Sequence, residues 1–174
     1  MAIREILVYP HPSLREPCLP VEKEDNVSAL VNDLLETMYA YSGIGLAAPQ
    51  INVLKRVFVM DVTEGESPLV FLNPEIVCVS GVSAPADEGC LSFPGYSEPV
   101  SRDTSILVRG KDTEFNEFEM SLSDLSAQCF QHELDHLNGK VFTDHLNRSS
   151  RRFITSDIKK RKKRKNLRYT GFQK

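Results

Sequence analysis

Between residues 26 and 43 the apolar positions Val27, Leu30, Val31, Leu34, Leu35 and Met38 recur three and four apart. That spacing lines one face of a helix with ~3.6 residues per turn, so a helix is predicted, with Asp25 or Asn26 as N-cap and Gly43 as its stop. The pattern then changes period. Residues 56–62 and 69–72 read as strands on either side of a turn-forming run at 64–68, and residues 76–79 continue in the same style. Residues 105–109 and 114–120 form a further pair around Gly110-Lys111-Asp112, where Phe115 and Phe118 alternate with acids as in a half-exposed hairpin. Helical spacing returns at Ser123-Asp124, an N-cap and first-turn acid, and lasts to Gly139, a natural residue for a helix end. Before all of this, Pro10, Pro12, Pro17 and Pro20 exclude a helix and predict an extended entry segment. The expected class is α+β, with antiparallel strands packed around the helix over 124–138.

Composition adds an asymmetry. The net charge of −3 hides eleven of the 21 Lys and Arg within residues 151–174, beside one acid, Asp157. That segment carries +10 and the other 150 residues carry −13. A catalytic domain over residues 1–150 followed by a basic helix or tail over 151–174, helical through Phe153, Ile154 and Ile158, is the expected organisation. The tail suggests an anionic partner, although a solvated helix end carries the same letters. No apolar run approaches the ~18 residues needed to span a bilayer, and the start of the chain has no export signal. A cytosolic protein is expected, with Cys18, Cys78, Cys90 and Cys129 as free thiols or one of them as a metal thiolate.

The candidate chemistry centres on Gln131-His132-Glu133-Leu134-Asp135-His136. His132 and His136 leave the same face of a helix and can share one divalent ion, with Glu133 near enough to take a proton from a water that the ion activates. Two solvated histidines on an amphipathic helix give the same pattern, which is only moderately specific alone. A third ligand must come from elsewhere. A continuation with a histidine six residues after His136 fails, since that position is Phe142 and His145 comes three residues too late. Cys90, in Glu88-Gly89-Cys90-Leu91-Ser92, is the better candidate, and Cys129 competes from the histidine helix itself. Asp135 and Arg102 form a candidate pair that would orient this helix. A third segment, Gly43-Ile44-Gly45-Leu46-Ala47-Ala48-Pro49-Gln50, offers small residues to an approaching peptide backbone and ends on a side-chain amide.

Together, and in this order, the three segments resemble the motifs of the peptide deformylases, and the resemblance covers roughly residues 1–150. It implies hydrolysis of the N-formyl group on the initiator methionine of new polypeptides, in bacteria or organelles. It also implies one Fe2+ held by Cys90, His132 and His136, although the same ligands suit Zn2+, Ni2+ or Co2+. Glu133 would be the catalytic base, and Gln50 with the backbone N–H of Leu91 would face the developing oxyanion. Ile44, Leu125 and Cys129 would receive the methionine side chain, with Gly45 and Gly89 along the substrate backbone. Implied partners are formyl-methionyl nascent chains and, through the basic tail, the ribosome. Two rivals are a zinc endopeptidase and a catalytically silent member that binds nucleic acid.

Overall fold

A computed structural model describes residues 2–63 and 65–163. Glu64 of the expected turn, and residues 164–174 at the end of the basic run, lie outside the described residues. Proline governs the first segment as expected, except that Pro12–Arg15 closes one 3-10 turn. Such a turn needs no donor from proline at its start, and His11 Nδ1 caps it by accepting from Ser13 N–H at 3.4 Å. Helix α1 spans Val27–Ala40 and is capped by Asn26, whose side chain accepts from Ala29 N–H. It ends before Gly43, with Ser42 in the left-handed conformation (φ 54). At Gly43 itself a Cβ would come within 2.8 Å of Leu91 Cδ1, so the end of that side chain would have to shift.

Five strands, β1 (Gly45–Ala47), β2 (Val57–Met60), β3 (Leu69–Val79), β6 (Ser105–Lys111) and β7 (Glu117–Ser123), form an antiparallel sheet in the order β1-β2-β3-β6-β7. The two runs expected at 69–72 and 76–79 are one strand. Register shifts absorb Pro74, and Asn73 (φ 49) turns its amide to the backbone of Val21 at 2.8 and 2.9 Å. The last hairpin turns over residues 112–116, two residues beyond expectation, because Asp112 Oδ1 accepts from the N–H groups of Glu114 and Asn116. Gly110 lies inside β6. A second, two-stranded sheet, β4 (Ser83–Gly89) with β5 (Ser97–Asp103), has no counterpart in the sequence pattern.

All four residues of β2 are buried because both sheet faces are covered. Val57 and Val59 pack with Val31, Leu34 and Met38 of α1, while Phe58 and Met60 face the other way. There they meet α2 (Asp124–Leu137), whose Phe130 packs edge-on against Phe58 and Phe71 at 5.1 and 5.0 Å. Ser123 makes no side-chain cap. The start of α2 is held by Asp124 N–H donating to Thr104 O at 2.9 Å. At the other end Gly139 (φ 69) closes the helix, and a Cβ there would lie 2.6 Å from Arg15 O.

A 3-10 turn, Phe142–His145, leads to α3 (Arg148–Lys163), capped by Asn147. The expected boundary at residue 150 falls inside this helix. Its Ile154 and Ile158 are buried in one apolar cluster with Cys90, Phe93, Val100 and Phe142. Among the described residues no helix is long and apolar enough to cross a membrane.

Candidate metal centre and cavity

α2 is central because it faces both sheets, and its polar residues lie on the side toward β4 and β5. His132 and His136 sit one turn apart with ring centroids at 5.1 Å, and Cys90, just past the end of β4, enters from outside the helix. Its Sγ is 3.2 Å from His136 Nε2. One donor atom each from Cys90, His132 and His136 lies within 4.8 Å of the others, and all three residues are buried. Donors about 2.0–2.3 Å from a tetrahedral ion are separated by roughly 3.5 Å, so this trio fits one divalent cation. Burial pushes the His136 pKa well down, which keeps its ring neutral, as ligation requires.

His132 is oriented from behind. Its Nδ1 lies 2.9 Å from Glu88 Oε2, and Glu88 is gripped by Arg102 through Nε and Nη2 at 2.8 and 3.1 Å. Burial alone would raise the Glu88 pKa, but the bonds from His132 and Arg102 overcome it and hold the carboxyl at about 2. The ionised Glu88 therefore keeps a proton on Nδ1 and leaves Nε2 for an ion. Arg102 Nη1 reaches Asp135 Oδ2 at 2.7 Å, the pair expected from the sequence. The sequence pattern assigns Glu88 no role of its own. The signal for it is a carboxylate two residues from a candidate ligand.

Glu133 is buried, and desolvation, opposed by His132 and assisted by Glu88, lifts its pKa to about 7. Its Oε2 has no hydrogen-bond partner among the described residues, which suits an acceptor for a substrate or water proton. Gly45 is required beside it, since a Cβ would stand 2.4 Å from Glu133 Oε1. Gln50 accepts from Ala47 N–H at 2.8 Å through Oε1, so its Nε2 points at Cys90 Sγ (3.7 Å) and Ser92 Oγ (3.3 Å). The entry segment braces both loops: Leu7 N–H donates to Gln50 O and Tyr9 N–H to Ser92 O, at 2.8 and 3.0 Å. Cys129 behaves differently from Cys90. Its thiol donates to Ile44 O at 3.4 Å, and burial followed by the charges of Glu133 and Glu88 raises its pKa well above the usual value, keeping it protonated.

These groups border a cavity of about 220 Å³. Gln50, Cys90, Leu91, His132, Glu133, Gly45, Gly89 and Cys129 line it, together with Ile44 and Leu125, which are 44% and 48% exposed. His145 is not part of it. Its Nε2 contacts Asp135 at 2.7 Å instead.

The polypeptide deformylase profile matches residues 3–152. The chain belongs to the polypeptide deformylase family. Among curated relatives, the peptide deformylase of Phenylobacterium zucineum is 50% identical, covering 94% of this chain and 99% of the relative. That of Cellvibrio japonicus is 49% identical, covering 94% and 98%. The peptide deformylase structure from Legionella pneumophila superimposes with a TM-score of 0.89 at 39% identity, covering 96% and 99%. That from Ehrlichia chaffeensis in complex with actinonin gives 0.88 at 39%, covering 92% and 98%. The chain is thus an enzyme, a hydrolase that removes the N-formyl group from nascent polypeptides.

Proposed function

We propose that the cavity receives the formyl-methionyl end of the nascent chain and that Cys90, His132 and His136 hold one divalent ion beside it. The observation that carries this reading is the buried thiol and two imidazoles within 4.8 Å, beside a buried glutamate oxygen with no partner among the described residues. The donor set suits Fe2+, as the family resemblance implies, and also Zn2+, Ni2+ or Co2+. An ion there supplies Lewis acidity, polarising the formyl carbonyl and acidifying a water molecule. Glu133 takes the proton of the attacking water and returns it to the leaving amine. Gln50 Nε2 and the Leu91 N–H donate to the developing oxyanion, where one donor is typically worth about 10²–10³ in rate. Ile44, Leu125 and Cys129 surround the methionine side chain, and Gly45 and Gly89 let the peptide backbone approach.

The test pairs metal analysis of protein purified without air with two substrates. One ion per chain and formate release from a formyl-methionyl dipeptide, with no cleavage of an internal unformylated peptide, are expected. Cleavage of the internal peptide would favour an endopeptidase instead.

We infer further that the enzyme works where nascent chains emerge, in a bacterial cytoplasm or an organelle, and that α3 contacts the ribosome. Arg152 and Lys159–Lys163 are exposed on α3, and the helix has one acid, Asp157. If about five cations neutralise phosphates, log affinity falls with log salt at a slope of roughly −3.5 to −4.5. Replacing Arg152, Lys160 and Lys163 by Gln should weaken low-salt co-sedimentation with ribosomes and leave dipeptide turnover unchanged. Undiminished co-sedimentation would remove α3 as the contact.

A further inference from the structure

We propose that His145 is a positioning residue for the metal-binding histidine, acting through Asp135, Arg102 and Glu88 on His132. The inference rests on His132 being a metal ligand, as proposed above. The sequence set His145 aside as a third ligand, yet the structure places it at the outer end of an unbroken series of polar contacts. His145 Nε2 lies 2.7 Å from Asp135 Oδ2, and the same oxygen accepts from Arg102 Nη1 at 2.7 Å. Arg102 then holds both oxygens of Glu88, and Glu88 Oε2 meets His132 Nδ1 at 2.9 Å.

The guanidinium is a planar fork, so its orientation is fixed only when both sides are held. Glu88 holds one side and Asp135 the other. Glu88 is buried, but the Asp135 side chain is 15% exposed, and without a second donor its carboxylate can turn toward water. His145 supplies that donor. Nε2 of His145 and Nη1 of Arg102 are 3.4 Å apart and converge on one oxygen, so Nε2 carries its hydrogen toward Asp135. Three elements meet here: Asp135 comes from α2, Arg102 from β5 and His145 from the 3-10 turn at Phe142–His145. The contact therefore fixes the rotation of α2 against β5 at the helix turn that carries the ligands. Losing the His145 donor loosens Arg102, then Glu88, and lets the His132 ring swing.

The experiment separates the donor from the bulk of the ring. His145→Phe keeps a ring without a donor, and His145→Gln keeps an N–H donor without a ring. Nickel-loaded holoenzymes are mixed with a chelator and the release of Ni2+ is timed, and the visible spectrum of each Co2+-loaded form reports ligand geometry. The Phe variant should release metal about tenfold faster, the low end for partners outside the ligand shell, with a displaced cobalt band. The Gln variant should match the parent. In an Asp135→Ala background, His145→Phe should add nothing further. A Phe variant that behaves as the parent does, or a Gln variant as fast as the Phe variant, overturns the proposal. If the Phe variant does not fold, the Gln variant decides alone: parent-like release supports the proposal and faster release overturns it. A parent chain that takes up no stoichiometric ion overturns the ligand assignment and this inference together.

Discussion

Helices α2 and α3 are close in length but spend their sequence differently. α2 buries Gln131, His132, Glu133 and His136 together with Ala127, Phe130 and Leu137, whereas α3 buries only Ile154 and Ile158. Burying a polar group costs free energy unless a partner compensates it, and most of the buried polar atoms on α2 have one. Gln131 bonds the backbone of Ala127 and Asp103, and His132 bonds Glu88. The exceptions are Glu133 Oε2 and His136 Nδ1. α3 keeps its charges at the surface, where some are paired, Arg151 with Asp144 and Asp157 with Arg161 and Tyr96, and the others are left to water. A helix whose interior is polar is thus informative about chemistry, and a helix whose exterior is charged is informative mainly about what it can meet.

The contrast breaks most completely if the thiol opposite α2 is removed. Cys90→Ser should strip the ion on dialysis and abolish turnover, while Cys129→Ser, whose thiol belongs to α2, keeps the ion; elemental analysis of both decides. The reverse pattern would exchange the two assignments. Next in size, Glu133→Ala should retain one ion per chain and lose about 10²–10⁴ in formate release, the usual worth of a general base. A near-normal rate would remove Glu133 from that role. On α3 the effect should be on stability alone: Ile154→Ala costs about 2–5 kcal/mol by denaturant unfolding and leaves metal content intact. A fall in metal content would instead show that the cluster Ile154 shares with Cys90 holds that ligand in place.

The smallest expected effect concerns acid. Glu88 is depressed from 4.5 to about 2 in the folded state. Its contribution is therefore present above the unfolded pKa and is lost as pH falls through 4.5 toward 2. The worth is on the order of 3 kcal/mol at most. Metal-free parent protein should lose stability across that window more steeply than Glu88→Gln. Parallel curves would show that Glu88 is not held ionised.

What the sequence made legible was local. The extent of α2 was set by Ser123-Asp124 and Gly139, although Ser123 caps nothing, and the face shared by Cys129, His132 and His136 followed from helical spacing. β4 and β5 stayed hidden because Pro85 and Pro99 interrupt them and most of β4 faces solvent, so no apolar alternation marks them. β1 is too short to carry a pattern. The relay behind His132 draws on β4, β5, α2 and the turn after it, and only its Asp135–Arg102 link suggested itself from residue type. The burial of Ile154 and Ile158 was obscured by the cations around them, because composition reports the majority face of a helix.

The brace made by Leu7 and Tyr9 also bears on the order in which the molecule assembles. Leu7 pairs with Gln50, Tyr9 with Ser92, and Cys18 N–H donates to Leu137 O at 2.8 Å. These contacts join points far apart along the chain, and closing such loops is entropically costly until both ends exist. During synthesis Cys18 must wait for Leu137, and Cys90 for His136. α1 and the β6–β7 hairpin can form early from neighbouring residues. The catalytic pocket is thus among the last features to take shape, and the enzyme cannot act on emerging chains until its own residues through Leu137 have left the ribosome.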